Sequence, residues 1–218
     1  EQFNNIVQLF SYPYMKKKAA FITGSSDRIG KAIAFQLAQM GYSIILHYHS
    51  SEQKAEKTQL EIQALGVDCE KIQIDNTKEN DFTQIFADAR SRFNIEILVN
   101  NASEFTPSNF ETEGTALLHY HFKINFESAY ILTKYFANNY PKGHIINLID
   151  THVEKNQTTH LDYLLSKKLL LDFTKLSAVA LAPKFRVNAI APGYFRTDNT
   201  QALQDNPERN ADIVKRIP

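Results

Sequence analysis

From Ala19 to Ile190 the chain alternates short apolar runs with longer stretches of helical periodicity, and this alternation limits the folds open to it. The runs Ala19–Thr23, Ser43–Tyr48, Cys69–Ile74, Ile95–Val99, His144–Ile149 and Arg186–Ile190 are dense in β-branched and aliphatic residues. Such near-continuous apolar strands are expected in a parallel sheet covered on both faces. Between them the pattern predicts helices over Arg28–Met40, Glu52–Leu65, Glu79–Phe93, Thr115–Asn139 and Leu161–Leu181. Strand–helix alternation of this kind implies an α/β fold with a doubly wound parallel sheet. No repeat, low-complexity segment or linker interrupts it, so residues 15–218 read as one domain.

Composition narrows the partners. Zero formal net charge and 22% charged residues give no basic excess that would point to nucleic acid. No apolar run approaches the roughly eighteen residues of a membrane span. Cys69, the single cysteine, has no internal disulfide partner and fits a reducing compartment. Residues 1–14 read as an N-terminal extension without signal-peptide features, and Met15 followed by three lysines reads as the start of a cytoplasmic protein. The seven histidines lack metal-ligand spacing, so no metal is expected.

The first strand runs into Thr23-Gly24-Ser25-Ser26-Asp27-Arg28-Ile29-Gly30-Lys31. A glycine directly after a strand and another at the head of a helix let the backbone approach a pyrophosphate, held at the helix N-terminus. Gly24, Arg28, Ile29 and Gly30 are therefore candidate nucleotide contacts. The second strand ends in His47-Tyr48-His49-Ser50-Ser51, where NAD-binding folds usually carry an acid for the ribose 2′-hydroxyl. Arg28, His49, Ser50 and Ser51 would instead accept a 2′-phosphate by charge and hydrogen bonding, which predicts NADP over NAD. A merely surface-capping Arg28 is the competing reading.

Further strand ends add polar residues where open α/β sheets bind ligands. Asp75 and Asn76 follow the third strand and suit an adenine edge. Asn100-Asn101-Ala102-Ser103 follows the fourth, with Phe105 either a stacking platform or a locally packed ring. Asn125 lies among Phe122, Ile124 and Phe126; a buried amide there is a structural bond-maker or part of a water path. Asp150 ends the fifth strand, and Pro192-Gly193 forms a tight turn after the sixth. Tyr163 and Lys167 stand four apart on a helix and so share a face. An ammonium beside a phenol lowers the phenol's pKa from about 10, which suits it to proton donation during hydride transfer.

Taken in order and spacing, the glycine loop, Asn100-Asn101-Ala102, Asn125, Tyr163 with Lys167, and Pro192-Gly193 resemble the short-chain dehydrogenase/reductase family over about residues 18–196. The resemblance implies a Rossmann-type sheet of order 3-2-1-4-5-6 and an NADP-dependent oxidoreductase acting on a small molecule, cytoplasmic, dimeric or tetrameric. It also implies that Lys167 bonds the nicotinamide ribose, Asn125 holds a relay water and Tyr163 is the acid. The resemblance also implies that the family's last helix and seventh strand would fall after Pro218.

Two departures bear on substrate. Asp150, thirteen residues before Tyr163, stands where most of the family has serine. With Arg28, Ser103 and Phe105 it is similar to the pteridine reductase branch, which includes dihydromonapterin and dihydrofolate reductases. The resemblance implies a pterin stacked on Phe105, with Ser103 and Arg28 at its polar edge and Asp150 and Tyr163 at the reacting centre. An ionised Asp150 would raise the phenol's pKa against Lys167, so Asp150 and Tyr163 should titrate as a coupled pair, with Asp150 protonated for part of the cycle; a purely structural Asp150 is the alternative. The tail from Tyr194 to Asn210 instead resembles sugar-acid dehydrogenases. The expectation is thus a pterin reductase, with a 3-oxoacyl or sugar-acid reductase as one alternative and a catalytically silent nucleotide-binding protein as another.

Overall fold

The computed structural model describes residues 16–78, 82–155, 158–193, 206–208, 211 and 215. Six parallel strands form one sheet in the order β3-β2-β1-β4-β5-β6. They are β1 (Lys17–Ile22), β2 (Ser43–Tyr48), β3 (Cys69–Gln73), β4 (Phe93–Asn100), β5 (Gly143–Leu148) and β6 (Phe185–Ile190). The helices are α1 (Arg28–Gln39), α2 (Glu52–Gln63), α3 (Phe82–Arg92), α4 (Ala116–Phe122), α5 (Ser128–Asn139) and α6 (Leu161–Ala180).

Period-2 side-chain alternation gives the sheet two cores. Along β1, Ala19 and Phe21 join Phe86, Leu98, Leu132 and Phe136 on one face. Ala20 and Ile22 join Ala34, Ile44, Leu46 and Val99 on the other. Each fully buried large apolar side chain contributes about 2–3 kcal/mol relative to exposure. Every residue of β2 is buried, whereas the edge strand β3 buries only Cys69 fully.

The expected elements are all present, with three differences. Phe93 begins β4 rather than ending a helix, and its ring is buried in the first core. The helix expected over Thr115–Asn139 is interrupted by a π turn at Lys123–Glu127. An unanticipated 3-10 helix, Thr151–Glu154, follows β5; the Asp150 carboxylate caps it by accepting the His152 N–H at 2.8 Å. No described helix is long and apolar enough to cross a membrane.

Candidate active site

The strand order reverses between β1 and β4, and ligands of open α/β sheets bind outside the carboxyl ends at such a point. A cleft of about 770 Å³ opens there. Its walls bring together Gly24, Arg28, Ile29, Gly30, His49, Ser50, Ser51, Asp75, Asn76, Asn101, Ala102, Ser103, Phe105, Asp150, Tyr163, Lys167, Pro192 and Gly193. Every expected site residue except Asn125 lines it. The Tyr194–Asn210 segment lies outside the described residues apart from 206–208.

The glycine-loop end is a self-satisfied lattice. The Thr23 hydroxyl accepts the Asn101 and Ala102 N–H groups, each at 2.9 Å. The Asn101 amide donates to the carbonyls of Thr23 and Gly24, both at 2.9 Å. His47 Nδ1 accepts the Gly24 N–H at 3.0 Å, which leaves Nε2 to donate to the Ile74 carbonyl at 3.0 Å. Burial holds this imidazole neutral, lowering its pKa to about 4. Gly24 has φ +62°, and a Cβ on Gly30 would stand 2.2 Å from the Gly24 carbonyl oxygen. Only glycine admits this close approach of helix to loop.

These walls fit a dinucleotide. Arg28, exposed at the head of α1 with φ +50°, lines the cleft with His49, Ser50 and Ser51 at the end of β2. Asp27 takes the Arg28 N–H at 2.8 Å and pairs with Lys54 at 2.6 Å. The Lys54 hydrogen bond is the main reason its pKa falls below the usual carboxylate range. Asp75 is also held low, by the Thr77 hydroxyl and N–H, with His49 3.5 Å away. Among the described residues the buried Asn76 Oδ1 has no hydrogen-bond partner, as an acceptor for an adenine amino group would require.

At the other end, α6 carries Tyr163 and Lys167. The Asn100 amide donates to Asn147 at 2.8 Å and the Asn147 amide to Thr174 at 2.8 Å, tying β4 and β5 to this helix. The Tyr163 hydroxyl donates to Asp150 Oδ2 at 2.7 Å. Lys167, 2% exposed, donates to the Leu148 carbonyl at 2.7 Å, with its Nζ 5.9 Å from the Tyr163 ring centre. Burial pulls its pKa down to about 8, against the opposing pull of Asp150.

The electrostatics here correct the sequence expectation. Tyr163 is raised, not lowered: burial comes first, and the Asp150 charge and hydrogen bond add to it. Asp150 is lowered although burial, the largest influence, works to raise it. The backbone N–H of His152, the Tyr163 hydroxyl and the His152 ring together outweigh that burial. Both shifts favour a phenol that donates to an ionised Asp150, the arrangement of the 2.7 Å hydrogen bond.

Phe105 is placed by a short bridge between the loop after β4 and the head of α6. Ser108 accepts the Leu161 N–H at its carbonyl and the Asp162 N–H at its hydroxyl, each at 3.0 Å. This supplies from another segment the cap that His160 does not provide. The Phe105 ring, 48% exposed, stacks on His160 at 4.1 Å and meets Tyr163 edge-on at 4.7 Å. One face of the expected platform is thus covered by His160.

Asn125 sits behind the cleft at 1% exposure, in the π turn. Its Oδ1 accepts the Glu104 N–H at 2.8 Å; its amide donates to the Glu104 carbonyl at 3.1 Å and to Ser166 at 3.0 Å. These bonds fit the first of the two readings open in the sequence, a structural bond-maker. Sequence reasoning passed over Lys54, Thr77, His152 and His160, all in the cleft wall. The available signal was position: each lies within a few residues of a strand end or helix head already singled out.

A family model described as short chain dehydrogenase matches residues 18–208. A 3-oxoacyl-[acyl-carrier-protein] reductase FabG of Staphylococcus epidermidis is 33% identical over 196 residues, 87% of this chain and 80% of the relative. The crystal structure of FolM alternative dihydrofolate reductase 1 from Brucella canis, complexed with NADP, is 32% identical with TM-score 0.81, covering 93% of this chain and 80% of that one. A putative gluconate dehydrogenase from Agrobacterium tumefaciens is 30% identical with TM-score 0.83, covering 94% and 82%. Sheet order, cleft and matched sequence lead to one assignment: this chain belongs to the short-chain dehydrogenase family and is an NAD(P)-dependent oxidoreductase.

Proposed function

We propose that the protein reduces a C=N or C=O bond of a pterin-like substrate (a dihydropteridine, dihydromonapterin or dihydrofolate) with NADPH. The observation that carries this reading is the Asp150–Tyr163 hydrogen bond of 2.7 Å, at the end of the cleft where the Phe105 ring stands edge-on to Tyr163. A carboxylate can address the amino and ring nitrogens of a flat heterocycle, and an aromatic ring can pack against its face. The FolM likeness supports the same substrate class.

NADPH, when bound, supplies the hydride. Arg28, His49, Ser50 and Ser51 would hold its 2′-phosphate, Asn76 its adenine and Lys167 its nicotinamide ribose. The Tyr163 hydroxyl gives its proton to the substrate nitrogen or oxygen, while Asp150 orients the substrate and receives the phenol's hydrogen bond. Asn125 acts behind them, fixing Glu104 and Ser166 around the pocket. By family likeness we extend the proposal to a homo-oligomer, a dimer or tetramer.

A second reading, a 3-oxoacyl or sugar-acid reductase, is favoured by the FabG and gluconate dehydrogenase likenesses. Steady-state rates with NADPH against dihydrobiopterin, dihydromonapterin and dihydrofolate, beside acetoacetyl thioesters and keto-gluconates, separate the two. Pterins are expected to lead in kcat/KM by at least about tenfold, a difference of about 1.4 kcal/mol in the barrier. A lead for the thioesters or keto-acids transfers the assignment to the second reading. NADPH binding without turnover of any compound identifies a silent nucleotide-binding protein.

A further inference from the structure

Tyr163 is 6% exposed and its hydroxyl is spent on Asp150 Oδ2. The other carboxylate oxygen, Oδ1, is held twice by one residue. His152 donates its backbone N–H at 2.8 Å, and its ring Nδ1 stands 2.7 Å away. That ring is 45% exposed, on the 3-10 turn in the cleft wall. Asp150 therefore connects a buried phenol to an imidazole open to solvent. We propose that His152 is a positioning residue for Tyr163: it fixes the carboxylate that receives the phenol's hydrogen bond and, as imidazolium, compensates the charge left when the phenol gives up its proton.

The inference rests on the reductase reading and specifies how its proton donor is tolerated. In the reaction the hydride forms a C–H bond on the substrate, and the adjoining nitrogen or oxygen takes the Tyr163 proton. The O–H bond breaks and a phenolate remains beside the Asp150 carboxylate. Two like charges at hydrogen-bond distance oppose that step. A proton from solvent on His152 leaves the three-residue unit with one net negative charge instead of two. Solvent then restores the phenol, so the protein ends the cycle unchanged.

Other charged groups around the imidazole are few. His160, at the N-cap of α6, lies within electrostatic reach of it. Lys168 bonds the Val153 carbonyl and anchors the turn, and Lys167 is buried next to Asp150. Asp150 is the charged group in direct contact with the imidazole, 2.7 Å away.

His152→Gln keeps an N–H for Asp150 and removes the charge; His152→Ala removes both. Each is assayed with NADPH and whichever compound of the substrate panel the wild type reduces fastest. A thermal midpoint and NADPH affinity like the wild type's establish folding. For both variants kcat is expected to fall about tenfold with KM nearly unchanged, the cost of about 1.4 kcal/mol of lost compensation. Imidazole in the buffer should recover part of the His152→Ala loss. Wild-type kcat in His152→Gln, or a His152→Ala loss that imidazole does not relieve, overturns the inference. A downfield imidazole N–H proton signal in the wild type, lost in His152→Gln, reports the pair without turnover; its absence overturns the inference even in an active enzyme. A wild type that shows this signal and reduces nothing in the panel overturns the reductase reading, and the proposed role with it.

Discussion

The two ends of the cleft are built on opposite plans. At the glycine loop, polar groups are matched in closed sets: Thr23, His47 and Asn101 satisfy the backbone around Gly24, and Gly30 leaves no room for a side chain. At the far end, ionisable groups are left in tension: a phenol against a carboxylate, an ammonium buried at 2% exposure, an imidazole half in solvent. The first arrangement contributes rigidity, so changes there should register as stability or affinity. The second is where we propose the chemistry occurs, since Tyr163, Asp150 and Lys167 are perturbed titrating groups in one cleft.

The comparison breaks first at Tyr163. Tyr163→Phe removes the proton donor and should lower kcat by about 10²–10⁴-fold, with NADPH affinity retained in a fluorescence titration. A variant with near-full kcat would mean that the tension at this end is structural.

At the other end, His47 predicts a pH effect on stability. Its folded pKa of about 4 lies below the ordinary 6.5, so the unfolded chain binds a proton more readily. Stability from this group is complete above pH 6.5 and is lost as pH falls through 4. On the order of 3 kcal/mol is at stake, at 1.36 kcal/mol per pKa unit. Urea denaturation at pH 7 and at pH 4.5 should show a steeper loss for the wild type than for His47→Gln. Equal losses would remove His47 from the matched set.

The smallest effect expected is on cofactor choice. Arg28→Ala should weaken NADPH binding by about tenfold to a hundredfold, the 1.5–3 kcal/mol of a hydrogen bond to a charged group, and leave NADH nearly unchanged. Equal losses for both would assign Arg28 to surface capping.

The strand–helix alternation and the cleft were legible because apolar runs and strand-end residues encode them locally, while the sheet order followed from the family resemblance. Gly24, Gly30 and Asn101 announced a loop because their conformational roles are nearly unique to their residue types. The electrostatics were legible only in part: the opposition of Asp150 to Lys167 could be expected, but not that burial and Asp150 together would prevail. Spacing placed Lys167 on the same face as Tyr163 but could not show that its ammonium turns to the Leu148 carbonyl while the phenol turns to Asp150. His152 was invisible for a related reason: its role comes from the capping turn that folds it back onto Asp150, and a 3-10 helix of four residues has no periodicity to detect. His160 could be found only through the bridge to Ser108, a contact across fifty-odd residues of chain.

The π turn at Lys123–Glu127 changes the phase of the polypeptide that passes through it. A wider turn holds one residue more than an α turn, so side chains before and after it are offset around the axis by about 100°. One continuous stretch can therefore serve two orientations: His121, before the turn, meets Tyr163, while Leu132 and Phe136, after it, seal the sheet. A regular helix would have to choose between them.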